Sequence, residues 1–134
     1  MELFSWWFHK YLMHGVLWKI HKTHHQPQKG WFELNDIFTL LFGGISVALI
    51  VAGLPQFSFV FWAGIGISIY GALYFVLHDM LIHKRIKLFK RPANSFLEGI
   101  FKAHQAHHRT NQKHDAESFG LLFVDQKFFG KKKD

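Results

Sequence analysis

Two stretches of this 134-residue chain carry no charged residue: 37–54, IFTLLFGGISVALIVAGL, and 57–77, FSFVFWAGIGISIYGALYFVL. As helices rising ~1.5 Å per residue they run about 27 Å and about 31 Å, close to the hydrocarbon thickness of a bilayer. Both are rich in Gly, Ala and Ser, the small residues that let membrane helices approach closely. A soluble fold of this length could hardly cover two such helices, so a pair of buried soluble helices is the weaker reading. Only Pro55 and Gln56 separate the stretches, which predicts a tight hairpin that returns the chain to the side it left.

The charges fit that topology. All sixteen Lys and Arg lie outside the hairpin, Lys10, Lys19, Lys22 and Lys29 before it and Lys84 through the Lys131–Lys133 run after it. Cytoplasmic flanks of membrane segments hold the excess of Lys and Arg, so both flanks are expected on the cytoplasmic side. The formal charge of +7 then reads as topology and attraction to anionic headgroups, and no nucleic-acid partner is expected. Leu3–Phe8, LFSWWF, is apolar but too short to span, and it lacks the features of a signal peptide. It is expected to be the tail of a first membrane helix that begins upstream of this chain. The predicted fold is an all-α integral membrane protein of one domain, residues 1–134. It consists of a helical hairpin, a partial first helix and a helical histidine cluster on the cytoplasmic side.

The chain has eleven histidines and no cysteine, so thiolate metal sites and disulfides are excluded. Ten histidines fall into four groups. His9 and His14 form HX4H, and His21, His24 and His25 form HX2HH; after the hairpin, His78 and His83 form HX4H, and His104, His107 and His108 form HX2HH. An even number of crossings lets all four groups meet at one membrane surface. Ser95 and Glu98 stand in a capping-box relation that predicts a helix start. From there Leu97, Ile100, Phe101, His104, His107 and His108 share one face, an apolar stripe that turns into a histidine stripe. His14, Leu17, Trp18, His21, His24 and His25 repeat that spacing, with Gly15 as the place where the helix would be interrupted. The HX4H pairs differ: five residues turn about 140° around an α-helix, so each pair is expected to straddle the site or sit at a frayed end.

One buried histidine is usually a satisfied core residue. Ten on converging faces are not, because buried imidazoles need partners and protonating them would pile up like charge. Metal binding solves both problems, since neutral imidazole is the ligand form. Ten ligands exceed what one ion takes, so two metals are implied; nitrogen donors suit Fe, Zn, Cu or Ni and do not choose among them. His114, in RTNQKHDAES, is expected to be solvated. Asp79, Glu33 and Asp36 are carboxylates able to accept the free ring N–H of a ligand histidine. Asn35 and Asp36 equally suit the cap of the helix starting at Ile37.

Four histidine groups around a membrane hairpin resemble the fatty acid hydroxylase/sterol desaturase superfamily of membrane di-iron enzymes. The segments HKYLMHG, WKIHKTHHQPQKGWFELND, YGALYFVLHDMLIHKR, AHQAHH and SFGLLF resemble, in order and spacing, the bacterial beta-carotene 3-hydroxylase family, over about residues 1–124. The resemblance makes His9, His14, His21, His24, His25, His78, His83, His104, His107 and His108 the iron-site histidines and does not extend to His114. It implies two non-haem iron ions, O2 as co-substrate, and hydroxylation of the beta-ionone ring of carotenoids at carbon 3. It also implies a separate electron donor such as ferredoxin, and a bacterial inner membrane with the metal site on the cytoplasmic side. The family has further residues upstream, and Met80 stands where it commonly has Gly. Two other readings stay open: a hydroxylase or desaturase of another lipid with the same site, and a non-catalytic metal- or haem-binding membrane protein.

Overall fold

A computed structural model of the chain describes residues 1–27 and 30–130; Lys29 and the Lys131–Lys133 run lie outside them. Among the described residues there is no strand. The elements are α1 (Glu2–Trp7) continued by a π-helical stretch (Phe8–Val16), the single turn α2 (Trp18–His21) and α3 (Asp36–Gly53). A 3-10 turn (Leu54–Gln56) leads to α4 (Phe59–Tyr74), continued by a second π-helical stretch (Phe75–Ile82). α5 (Ser95–His107) and a short 3-10 turn (Gln126–Phe129) complete the chain.

The hairpin forms as the sequence predicts. Asp36–Gln56 and Phe59–Ile82 are 21 and 24 residues long, apolar enough to cross a membrane. Only 17% of the most apolar stretch of either one is buried within the chain, so both present most of their apolar surface outward. Where the two touch, side chains are small. Gly64 lies so close to α3 that an added Cβ would sit 2.8 Å from the backbone N of Ile50 and O of Ser46. The Ser46 hydroxyl donates to the Gly64 carbonyl at 2.7 Å and lies 2.7 Å from the Ser68 hydroxyl. The turn closes with Phe57 in the left-handed region, φ 46°. Exposed aromatics flank the hairpin, Trp31 and Phe32 before α3 and Phe57, Phe59 and Trp62 at its tip, the two places where aromatic side chains suit a membrane interface.

Three local expectations are corrected. Gly15 does break the helix (φ −102°, ψ −114°), but α2 then lasts one turn, and His24 and His25 sit in tight turns bonded to His21 and Lys22 three residues back. The cap of α5 is Asn94, whose Oδ1 accepts the Leu97 N–H at 2.9 Å, in place of the Ser95–Glu98 box. The HX4H pairs are held by the two π-helical stretches: His9 and His14 lie within the first, and His78 lies within the second with His83 at its C-terminal cap. The His83 N–H donates to the His78 carbonyl at 2.9 Å, an i→i+5 bond. Such bonds bring residues five apart onto one side: the ring centres are 4.5 Å apart for His78 and His83 and 5.3 Å for His9 and His14.

Residues 109–125 have no regular structure yet are held at both ends. The Oε1 of Glu2 accepts the N–H groups of Leu121, Leu122 and Phe123 at 2.8, 2.9 and 3.1 Å, and its Oε2 accepts the Tyr70 hydroxyl at 2.6 Å. This carboxylate ties the first helix, α4 and the C-terminal segment together.

Candidate metal centre

All ten histidines of the four sequence groups come together beneath this segment. His14, His21, His24, His25, His78, His104 and His107 are buried, and His9, His83 and His108 are partly so. His114 is exposed and stands apart. The rings sort into two sets that ignore the sequence motifs. Ligand atoms of His9, His14, His21 and His107 lie within 4.8 Å of one another, as do those of His24, His83, His104 and His108. The other two complete the sets: the Nε2 of His25 is 3.2 Å from that of His21, and the Nε2 of His78 is 3.0 Å from that of His24. Each set therefore draws on both sides of the hairpin. His107, on α5, joins the first; His24, from the turn after α2, joins the second.

The hydrogen bonds at Nδ1 fix how the rings point. In the first set Nδ1–H donates from His9 to the Phe119 carbonyl (2.9 Å), from His14 to Lys113 (3.1 Å), from His25 to Thr110 (2.9 Å) and from His107 to Glu117 (3.1 Å). His21 donates to Asn35 Oδ1 at 2.8 Å. In the second set His24 donates to Glu33 Oε1 at 2.7 Å and His78 to Asp79 Oδ1 at 2.8 Å. All seven partners are acceptors only, so each of these rings carries its proton on Nδ1 and turns a bare Nε2 lone pair inward.

Those lone pairs face one another. Nε2 to Nε2 distances are 3.0 Å for His9–His21, 3.2 Å for His14–His107 and 3.0 Å for His24–His78; the Nε2 atoms of His83 and His104, whose rings have no Nδ1 acceptor to fix the tautomer, are 2.9 Å apart. Two lone pairs at such range repel unless a cation lies between them. Protons are poor candidates for that cation. Burial holds His25 and His83 down to about 4, and pushes His21, His24 and His107 well below the usual histidine range, with neighbouring histidines adding to the effect. The His108 Nε2 is buried with no protein partner. Two nitrogens each ~2.1 Å from one ion are about 3.0 Å apart at right angles and about 3.4 Å apart in a tetrahedron. The observed separations are of the size that neighbouring ligands of one ion would have, so the all-nitrogen donor sets fit first-row transition-metal ions.

Of the sequence-predicted carboxylates, Glu33 and Asp79 accept ring N–H groups. Asp36 touches no histidine: its Oδ1 pairs with Arg85 at 2.7 Å and its Oδ2 accepts the Glu33 N–H at 3.0 Å. Arg85 also pairs with Glu33 at 2.5 Å and approaches Asp79 at 4.0 Å. Burial raises the Glu33 carboxyl, against the opposing pull of Arg85. Sequence reasoning missed Arg85, which lies beyond the last HX4H histidine in LIHKR, and missed the four carbonyl acceptors, which no side-chain motif can signal. Asn35, expected as a cap, gives its side chain to His21.

A cavity of about 390 Å3 leads to the site from between the first helix, α3 and α4. Its walls include Phe4, Phe8, Phe38, Phe42, Val47 and Ile67, and its inner end is formed by His9 and His21 of the first set and His24 and His78 of the second. The Phe8 ring packs edge-on against Phe38 and Phe42 at 5.7 and 5.2 Å, and Tyr74 stacks on His78 at 4.2 Å. Met80 does not line this cavity.

Residues 1–130 match the family model for fatty acid hydroxylases. The chain belongs to the fatty acid hydroxylase family. Within it, this fatty acid hydroxylase family member is 39% identical over 124 residues to the beta-carotene hydroxylase of Pseudescherichia vulneris, which covers 92% of this chain and 70% of that protein. The beta-carotene hydroxylase of Pantoea ananas is also 39% identical over 124 residues, 92% of this chain and 71% of its own length. The chloroplastic beta-carotene 3-hydroxylase 1 of Arabidopsis thaliana is 36% identical over 126 residues, 91% of this chain and 40% of that protein. No solved structure matches the chain.

Proposed function

We propose that this chain is a membrane-embedded non-haem di-iron oxygenase that hydroxylates the beta-ionone ring of carotenoids at carbon 3, taking beta-carotene through cryptoxanthin to zeaxanthin. The observation that carries this reading is the cavity: an apolar, aromatic passage from the lipid-facing hairpin that ends where the two histidine sets meet. The similarity to beta-carotene hydroxylases supports the substrate class.

Carbon 3 of the ring is not allylic, so its C–H bond is beyond acid–base chemistry by any side chain. Two reduced iron ions, when bound, supply the means to use O2 against such a bond. The protein's own residues do the rest. His9, His14, His21, His25 and His107 would hold one ion; His24, His78, His83, His104 and His108 would hold the other. The Nδ1 hydrogen bonds keep seven of these imidazoles, those of His9, His14, His21, His24, His25, His78 and His107, neutral and aimed, which lowers the reorganisation cost of ligation. Phe8, Phe38 and Phe42 orient a rigid hydrocarbon ring by shape and keep water from the reacting carbon.

The electrons come from a separate protein, for which a ferredoxin-type donor is the reading that fits the basic flanks. Lys10, Lys19, Lys22 and Lys84 lie on the segments that bear the histidines and suit an acidic partner. Those flanks also support a site on the cytoplasmic side of a bacterial inner membrane.

Expression in bacteria that accumulate beta-carotene, followed by pigment chromatography, tests the reading. Cryptoxanthin and zeaxanthin are expected. Unchanged beta-carotene from chain that is inserted and iron-loaded would overturn the carotenoid assignment.

A further inference from the structure

The two histidine sets differ in what stands behind them. Every Nδ1 partner in the first set is a neutral oxygen: the backbone carbonyls of Phe119, Lys113, Thr110 and Glu117, and the amide of Asn35. In the second set His24 leans on the Glu33 carboxylate and His78 on the Asp79 carboxylate, at 2.7 and 2.8 Å. Asp36 adds a third carboxylate beside Glu33, and Arg85 is the guanidinium that pairs with this group. Three carboxylates against one guanidinium leave net negative charge in this group, and the rings it bonds directly, His24 and His78, both belong to the second set.

A carboxylate accepting the ring N–H draws that proton toward itself and enriches the opposite nitrogen, so the imidazole becomes a stronger donor; a carbonyl does this less. Negative charge near the site also favours any cation placed there. Taking the two sets as metal sites, the reading on which this rests, we infer that the sites are unequal. The site of His24, His78, His83, His104 and His108 binds a divalent metal more tightly and fills first, and Glu33 and Asp79 are the residues that make it so. They act as positioning residues, through His24 and His78.

The test is an anaerobic titration of the metal-free full chain, in lipid nanodiscs at fixed pH, with Co(II) and then with Fe(II), read by visible absorption, Mössbauer spectra and metal content. Two successive equivalents are expected, with dissociation constants separated at least tenfold, and a single Mössbauer doublet after the first. His104→Ala should remove the tight step and leave the weaker one, whereas His107→Ala should do the reverse. Glu33→Gln and Asp79→Asn should each weaken the first step by about 10- to 100-fold and leave the second in place. The nearly isosteric Asn35→Asp gives the first set a carboxylate behind His21 and should tighten the second step by a similar factor, an effect that a purely structural role for these side chains would not produce. Two equivalents of equal affinity, or an Asn35→Asp chain whose second step does not tighten, would overturn the inequality and leave the two-metal reading intact. Fewer than two bound equivalents in the unsubstituted chain would overturn that reading too.

Discussion

The apolar hairpin and the irregular segment 109–125 are held in place by opposite means. The hairpin is built from local helix bonds and from close contact of small residues at Ser46, Gly53, Gly64 and Ser68. Segment 109–125 has almost no bonds of its own. Four of its carbonyls accept histidine N–H groups, and residues just past Gly120 hang from the Glu2 carboxylate. The hairpin should therefore fold whether or not the site is formed, while the segment owes its shape to the site. An apolar scaffold that is indifferent to the site and a polar roof that depends on it can be separated by experiment.

The largest effect is expected from the histidines the two sets exchange. His24→Ala or His107→Ala should lower carotenoid hydroxylation by more than 100-fold, below detection by chromatography, while far-ultraviolet circular dichroism keeps the helical signal of the hairpin. Loss of that signal would mean that the scaffold depends on the site after all. Next comes Glu2→Ala, which strands three backbone N–H groups and the Tyr70 hydroxyl. Opening of the roof should become easier by about 2–3 kcal/mol, seen as faster hydrogen exchange at Leu121, Leu122 and Phe123 with α3 unaffected. On the hairpin side, Gly64→Ala forces a Cβ against the α3 backbone and should cost about 1–3 kcal/mol in hairpin stability, read by thermal unfolding, with exchange at 121–123 unchanged.

Proton concentration discriminates more gently. In chain stripped of metal, His25 and His83 are held by burial at about 4, below the ordinary 6.5. The unfolded chain binds protons that the folded chain refuses, so stability is full above pH 6.5 and falls as the pH is lowered toward 4. The loss approaches about 1.4 kcal/mol per pH unit for each such group. Roof exchange rates should rise across that window and hairpin helicity should not. The smallest effect belongs to His114→Ala, expected within about 0.5 kcal/mol of zero and without change in hydroxylation.

The same contrast explains what could be read from the sequence. The hairpin was legible because charge-free length and small residues are local properties. So were the ten histidines and the inward face of α5, where Ile100, His104 and His107 are buried and Leu97, Phe101 and His108 partly so. The HX4H geometry was not, because a spacing of five argues against one face of an α-helix and only the i→i+5 bonds of Phe8–Val16 and Phe75–Ile82 reconcile it. The pairing of His24 with His83 and of His107 with His14 is a long-range fact that no motif carries. The carbonyls of Thr110, Lys113, Glu117 and Phe119 have no side-chain identity to read. Glu2, which borders the apolar run Leu3–Phe8, is the anchor of the roof through contacts more than a hundred residues away.

The central claim is that ten histidines form two metal sites, each drawing on both sides of the hairpin. Its most direct measurement is iron per chain, by elemental analysis of protein purified in lipid, for the unsubstituted chain and for His24→Ala and His107→Ala. Two irons per chain are expected for the first and a clear loss of iron for each variant, although the two residues come from different sequence groups. Full iron retained in either variant, or a single iron with all ten histidines in place, would contradict it.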